Sequence, residues 1–418
     1  LDNLGILKNI ITDHARIGIG LVRQHQWGDM LTGRLVFRVT VAIGICASCV
    51  VLPSAAATAA GGYVNPLKGD LGVHDPVMIR QGNVYHIYCT GANIGAKTSA
   101  DRITWKNAAS GLPSPSWIKT YVPGNNGTDF WAPDISFRDS LYWLYYSVST
   151  FGSSVSAIGL ATSPTLGSPV WTDKGMVIRS QSNSNYNCID PNAFTDADGK
   201  TYLLFGSFWS GIKMVETDPA TGKPASASPT LLSLASRSSG IEAPFMLKWG
   251  AYYYLFVSWD KCCNGCTSTY KMAVGRASNV KGPFVDKAGK AMTAGGGEII
   301  DTGDAVRKGP GHNGLFIEND TVFCVNHYYA CNSLLQIRPL YFDNGWPSFT
   351  GSRTTAVQNS IATGGVRSAA ARQRVVFASA PVVIGAGERV YTIAGREITK
   401  LRAERDRITG IAIVRLAR

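Results

Sequence analysis

A five-bladed β-propeller followed by a small β-rich C-terminal appendage is the all-β fold that this sequence predicts, on two observations. The first is a repeat: HDPVMIRQGNVYHIY, APDISFRDSLYWLYY, DPNAFTDADGKTYLLF, APFMLKWGAYYYLF and HNGLFIENDTVFCVNHYY each lead from a short turn into an aromatic-rich strand. Pro76, Pro133, Pro191 and Pro244 stand 57, 58 and 53 residues apart, and the fifth copy, at His312 and Asn313, follows a longer insertion. Strand-filled periods of this length indicate propeller blades. The second is the alternation of aromatic and small residues inside each copy, the period of two that sends successive side chains to opposite faces of a strand.

In chain order, residues 1–60 hold an export pattern that starts late. Met30 precedes Arg34 and Arg38, an apolar run from Val39 to Leu52 and the small-residue stretch SAAATAA ending at Ala60, the three-part layout of a secretory signal peptide. The segment before Met30 begins with Leu1 and reads as an upstream extension from a misplaced gene start. An uncleaved anchor is the alternative, disfavoured because the run is shorter than the ~20 residues of a bilayer span, so the mature chain is expected to lack a membrane span. Residues 61–351 carry the five copies and form the propeller. Asp196 to Gly199, Asn319-Asp320 and Trp249-Gly250 mark hairpin turns between first and second strands. Residues 352–373, rich in Ser, Thr, Ala and Arg, read as a linker. Residues 374–418 read as a small β domain built from VVFASAPVVIG, ERVYTIAGREI and ITGIAIVRLA.

Charged residues make up only 16% of the chain against 45% hydrophobic, a balance that suits an exported protein better than an intracellular one. The net charge of +12 does not mark a nucleic-acid binder. Positions up to 60 hold 5 basic and 3 acidic residues, 61–350 hold 23 and 21, and the remainder 12 and 4, so the central domain is nearly neutral. The basic tail lacks the aromatic interleaving of a single-strand groove, and no nucleic-acid partner is expected. Cys46 and Cys49 fall in the export segment, leaving Cys89, Cys188, Cys262, Cys263, Cys266, Cys324 and Cys331, an odd number with at least one unpaired. The run CCNGC, Cys262 to Cys266, has no second Cys pair or spaced His pair to complete a zinc site, and in an exported chain it reads as a loop disulfide of open pairing. Its bearing is expected to be on stability more than on chemistry.

A propeller aims the start of each blade's innermost strand at one axis, so residues far apart in sequence share one cavity. Three of the turns carry an acid there: Asp75 in VHDP, Asp190 in CIDP and Glu242 in GIEAP. A lone Asp-Pro is most often a turn cap, whereas three acids in separate repeats point to acid–base chemistry. Asp134 follows its proline and reads as structural.

The motifs VHDP, DFWAPDI, NCIDPN, GSFWSGI, SGIEAPF, GPGHNG and IRPLYFDNGWP stand in this order between about residues 66 and 350. Together they resemble glycoside hydrolase family 43, and within it the endo-1,5-α-L-arabinanase branch. The resemblance implies an inverting hydrolase of internal linkages in the polysaccharide arabinan, with Asp75 as general base and Glu242 as general acid. Asp190 is implied to tune the acid and orient substrate. An inverting pair stands ~6.5–9.5 Å apart with water between, and a third carboxylate beside the acid would raise its pKa by like-charge repulsion. His312 takes the place where such arabinanases keep a histidine near a central ion, often calcium bound mostly through water; a buried core histidine is the alternative. No organic cofactor is implied.

Further positions match more loosely. Trp131 is a candidate for stacking on a sugar face, with a core position as the alternative for it and for Trp209; Asn187 and Ser207 match substrate-contacting positions; Arg338 in IRPL is a candidate for a sugar hydroxyl; and His74 could orient groups beside the base. An exo-acting α-L-arabinofuranosidase or β-xylosidase is the rival within the family, and a carbohydrate-binding propeller without catalysis is the rival of another class. The tail motifs VYTIAGREI and GIAIVR resemble the C-terminal sorting domain of type IX secretion cargo, implying export and cell-surface attachment. The oligomeric state is not legible in the sequence.

Overall fold

Each repeat folds as predicted into one blade of antiparallel strands, the innermost strand coming first. The computed structural model describes residues 65–226 and 228–350, together with the tail strands Gln373–Ala378, Glu388–Tyr391, Glu397–Ile398 and Gly410–Leu416. The export segment and the linker up to residue 372 lie outside the described residues. Blade one contains Val77–Gln81, Val84–Cys89, Gly95–Ser99 and Thr104–Ala108, and blade two Asp129–Arg138, Leu141–Val148, Ser156–Ser163 and Thr172–Ser180. Blade three contains Asn192–Thr195, Thr201–Phe205, Ile212–Thr217 and Leu232–Ala235, and blade four Ile241–Trp249, Tyr252–Trp259, Lys271–Ala277 and Glu298–Asp301. Blade five contains Lys308–Glu318, Thr321–Ala330, Asn332–Asp343 and Trp346–Ser348. The tail strands form a sheet of their own, ordered Gln373–Ala378, Gly410–Leu416, Glu388–Tyr391, Glu397–Ile398.

The period of two is what glues the blades together, because both faces of every blade are covered by a neighbour. In blade two, Tyr142, Leu144 and Tyr146 pack toward blade one with Val77 and Tyr88. The intervening Trp143 and Tyr145 pack toward blade three with Leu203 and Phe205. Blade three repeats the pattern, sending Tyr202 and Leu204 to meet Leu255 and Val257 of blade four, while Tyr254 and Phe256 of blade four meet Leu315 and Val322 of blade five. The ring closes where Val325 and Leu335 of blade five pack on Met78, Ile87 and Trp105 of blade one. Each such fully buried large side chain contributes about 1.5–3 kcal/mol relative to exposure. The closure is reinforced by the leading segment, where Leu335 donates to the Leu71 carbonyl at 2.8 Å and Val73 to that of Ser333 at 3.2 Å.

A ring of hydrogen bonds runs around the axis. Asp75, Ala132, Asp190, Ala243 and His312 open the five blades with φ of 51°, 32°, 58°, 55° and 50°. This left-handed backbone costs a non-glycine residue about 1–3 kcal/mol and is held by what each amide meets. Ala132 donates to Thr90 Oγ1 (2.8 Å), Asp190 to Ser147 Oγ (2.9 Å), His312 to Ser258 Oγ (2.8 Å) and Asp75 to His327 Nδ1 (3.1 Å), in each case a side chain of the preceding blade. In blade three the acceptor's place belongs to Gly206, whose φ of 136° and 2.5 Å approach of a Cβ to the Gly211 carbonyl exclude a side chain. Asp190 Oδ2 supplies the missing acceptor for the Ala243 amide at 3.0 Å.

Candidate active site

The left-handed turns swing the residues at each blade's start toward the axis, and there the three predicted acids meet different neighbours. Asp75 is surrounded by imidazoles: His312 Nδ1 lies 3.1 Å, His74 Nε2 3.5 Å and His327 Nδ1 3.7 Å from its Oδ1. Thr90 donates its hydroxyl to Oδ2 at 2.5 Å. Burial pushes the Asp75 carboxyl up, but the positive potential of His74 and His312 and the His312 hydrogen bond outweigh it and hold it far below the ordinary 3.8. Burial pulls His312 down, yet the charge and hydrogen bond of Asp75, with Asp190 and Glu242 behind, raise it to about 9. His327 accepts the Asp75 amide on Nδ1, which leaves its proton on Nε2. Burial and the neighbouring His74 and His312 keep it neutral, well below 6.5.

Among the described residues, no ion pair reaches Glu242. Ser207 donates to Oε2 at 2.7 Å and Tyr270 to Oε1 at 2.6 Å, in a setting where only 8% of the residue is exposed. Burial raises its carboxyl above the ordinary 4.5 against those two hydrogen bonds, and the Asp75 charge raises it further. Asp190, 6% exposed, is pushed well above 3.8 by burial first and then by Glu242 and Asp75, against His312 and the Ala243 amide. Asp190 and Glu242 repel each other as expected, and burial of both carboxyls is the larger cause of their rise. What Asp190 does directly is accept the amide of Ala243, fixing the turn that carries Glu242.

The acids are also not in one repeat position. Glu242 pairs in register with Ser258, as Trp131 does with Ser147 and Gly311 with His327. Glu242 therefore stands one residue before the left-handed position that Asp75 and Asp190 occupy, in the place that Trp131 fills in blade two and His74 in blade one. This register puts Trp131 at the mouth of the axis, its Nε1 donating to Asp129 Oδ2 at 3.0 Å.

The looser matches separate. His74 lies beside the base and stacks on His327 with centroids 4.3 Å apart. Asn187 is buried, with an Oδ1 that has no hydrogen-bond partner, an acceptor at the foot of the Asp190 turn. Ser207 is committed to Glu242. Arg338 does not join the acids: it pairs with Asp301 and lies over the Phe349 ring at 3.6 Å. It is in register with Cys324, three residues outward from His327 along the strand, so its guanidinium serves the seam between blades four and five. Asp134 is structural as expected, accepting the Ala193 amide at 2.7 Å. Thr90, Tyr270 and His327 were not singled out from sequence; His327, a polar residue in the aromatic run VNHYY of the fifth copy, carried the one visible signal.

A hard cation near His312 would ask for oxygens. The Oδ1 of Asn313, the next residue, is buried without a partner, and His312 Nε2 would become a ligand only with its proton displaced by the ion, so the residues fit an ion bound mostly through water that takes over the positive charge of His312. The CCNGC run resolves into Cys262–Cys263 and Cys266–Cys331 disulfides, leaving Cys89, Cys188 and Cys324 buried and free. The run, expected to bear on stability, also lies next to the acids' surroundings, with Cys263 Sγ 3.6 Å from His74 Nε2. A groove of about 720 Å³ extends from His74 and Thr90 past Cys263 and Tyr329 to Lys97 and Asn332, between blades one and five. By blade three, Phe208 and Trp209 stand 37% and 48% exposed in the loop that follows Ser207.

Known proteins match this arrangement over the whole propeller. The extracellular endo-α-(1→5)-L-arabinanase 1 of Bacillus subtilis is 44% identical over 286 residues, covering 66% of this chain and 87% of the relative. The solved endo-arabinanase from Bacillus licheniformis is 45% identical with a TM-score of 0.64, covering 68% of this chain and 100% of its own. A solved exo-1,5-α-L-arabinanase from a bovine ruminal metagenomic library is 44% identical with a TM-score of 0.63, covering 66% and 96%. The family model for glycosyl hydrolases family 43 matches residues 63–357, and the chain belongs to that family of glycoside hydrolases.

Proposed function

We propose that this chain is an endo-acting arabinanase that hydrolyses internal α-1,5-L-arabinofuranosidic bonds with inversion. The observation that carries the reading is the opposed setting of two carboxyls: Asp75 is held ionised among imidazoles, and Glu242 is held toward its protonated form among hydroxyls. Such a pair divides the work of an inverting hydrolysis. Asp75 takes a proton from water as the oxygen attacks the anomeric carbon, while Glu242 gives its proton to the departing O5 of the next sugar. Exchange with solvent then resets both groups. Asp190 holds the Glu242 turn, and Trp131 offers a ring face at the mouth. A bound cation would be held by His312 and Asn313 and would supply fixed positive potential beside the base.

The substrate follows from the relatives named for arabinan, and internal cleavage is supported by the endo-acting names of the Bacillus subtilis and Bacillus licheniformis proteins. The export pattern agrees with the extracellular name of the Bacillus subtilis relative, and surface attachment through the tail is part of the same proposal. The exo-acting reading has a specific support, the ruminal relative of equal identity. Product analysis of the full chain on linear, debranched arabinan separates the two. Short oligosaccharides with an early fall in viscosity are expected; arabinose or one fixed oligomer released from chain ends with viscosity preserved would establish exo action. An untouched polymer would leave a binding propeller.

A further inference from the structure

We infer that the Cys262–Cys263 disulfide is a substrate platform, an apolar wall of the groove against which the furanose backbone of the bound chain lies beside the catalytic base. The inference rests on the arabinanase reading and adds to it a specificity element made of two adjacent cysteines.

Placement is the first observation. Cys263 is exposed yet lines the groove, and its Sγ meets His74 Nε2, whose other neighbour is Asp75 Oδ1 at 3.5 Å. Sulfur atoms of both Cys262 and Cys263 lie within 4.8 Å of each other and of the His74 ring nitrogen. Once oxidised, the two side chains carry no hydrogen-bond donor, so the surface they present is apolar. A groove for a sugar chain needs such a surface, since ligand sites pair apolar walls with a few placed polar groups. Here His74, Thr90 and Tyr329 supply the polar side.

The second observation is how firmly the wall is held. Cys263 donates its amide to Tyr329 OH at 2.9 Å, and Asn264 donates to Ser268 Oγ at 2.9 Å. The neighbouring Cys266 is bridged to Cys331, so this blade-four loop is tied to the blade-five hairpin. At its base Asp260 is paired with Lys271 at 2.7 Å. A surface fixed in this way meets substrate without an ordering cost. It touches the chain equally before and at the transition state, and such uniform binding appears in KM and not in kcat.

The test compares the wild-type chain with the C262S/C263S variant on α-1,5-arabinohexaose and debranched arabinan. The variant is expected to raise KM about tenfold with kcat within about twofold, the loss of roughly one apolar contact. A second measurement covers a variant that does not fold. In an otherwise intact E242Q chain, a dithiol opens the Cys262–Cys263 bond, oxidising to its own disulfide as the protein gains two thiols, which alkylation and peptide mass quantify. Arabinohexaose is expected to slow that opening about fivefold or more, and xylohexaose to leave it unchanged. Unchanged KM, or opening indifferent to arabinohexaose, overturns the inference. So does a fall in kcat with a displaced pH profile and unchanged KM, which would assign the pair to holding His74 against Asp75. A wild-type chain that leaves arabinan uncut defeats the proposed function, and this inference with it; cleavage with unchanged KM in the variant defeats this inference alone.

Discussion

The starts of blades one and four share a left-handed turn, with Asp75 on it and Glu242 one residue before it, and the two carboxyls are driven in opposite directions. At blade one, His74 and His312 crowd Asp75 and outweigh the cost of burying an anion. At blade four, Ser207 and Tyr270 reach Glu242 with hydroxyls alone, and burial wins. The scaffold supplies convergence; the side chains that face each carboxyl from its own and the adjoining blade supply the chemistry. Thr90, Ser147, Gly206, Ser258 and His327 occupy one repeat position, and the changes among them distinguish a positioning hydroxyl from the imidazole beside the base. The lesson is that acid and base roles are read from what faces each carboxyl, not from the carboxyl's own place in the repeat.

Breaking either side should be costly, and differently so. Asp75→Asn removes the acceptor for the water proton and is expected to lower kcat/KM on arabinan roughly 10³–10⁴-fold, whatever the leaving group. Glu242→Gln should fall by a similar roughly 10²–10⁴-fold on arabinan but recover most of that loss on an arabino-oligosaccharide carrying an acidic phenol, which departs without a proton. Steady-state rates on both substrates check the pair; equal losses for the two variants on the aryl substrate would erase the distinction.

Asp190→Ala removes the acceptor for the Ala243 amide, and the expected fall in kcat is about 10–100-fold through misplacement of Glu242. Asp190→Asn retains an acceptor and should lose less, so the ratio of the two variants reports the positioning role. Tyr270→Phe sharpens the acid side. The phenol favours the ionised Glu242, so its removal raises the carboxyl further, and the basic limb of the kcat/KM profile should move to higher pH by roughly one unit or less. A shift to lower pH would mean that Tyr270 acts otherwise. Ser147→Ala, which orphans the Asp190 amide, should have the smallest effect, a stability loss of about 1–3 kcal/mol measured by denaturant unfolding.

Much of this was legible before the fold was seen, because a propeller announces itself by repetition. The five turn-and-strand phrases gave the blades, and Asn319-Asp320 and Asp196 to Gly199 do turn the hairpins, with Asn319 and Asp320 at φ of 48° and 57°. The acids stood out because they recur near prolines. Their partners did not, because Thr90 and Tyr270 reach their acids from 15 and 28 residues away in the same blade and His327 from 252 residues away across the seam of blades five and one, separations that no local pattern encodes. Arg338 misled for the same reason: its motif lies near the end of the family pattern, but its strand register carries it away from the axis to Asp301. Cys262 and Cys263 looked like a stability device because adjacency in sequence says nothing about His74, which lies 189 residues from Cys263.

The central claim is that the site drives Asp75 toward its ionised form and Glu242 toward its protonated form. Carboxyl-carbon NMR titration of Asp- and Glu-labelled protein, with signals assigned from Asp75→Asn and Glu242→Gln spectra, tests it most directly. The account predicts an Asp75 signal that stays ionised below the ordinary 3.8 for as long as the fold survives, and a Glu242 signal that titrates above the ordinary 4.5. A Glu242 that ionises below 4.5, or an Asp75 that takes up its proton above 3.8, would contradict it.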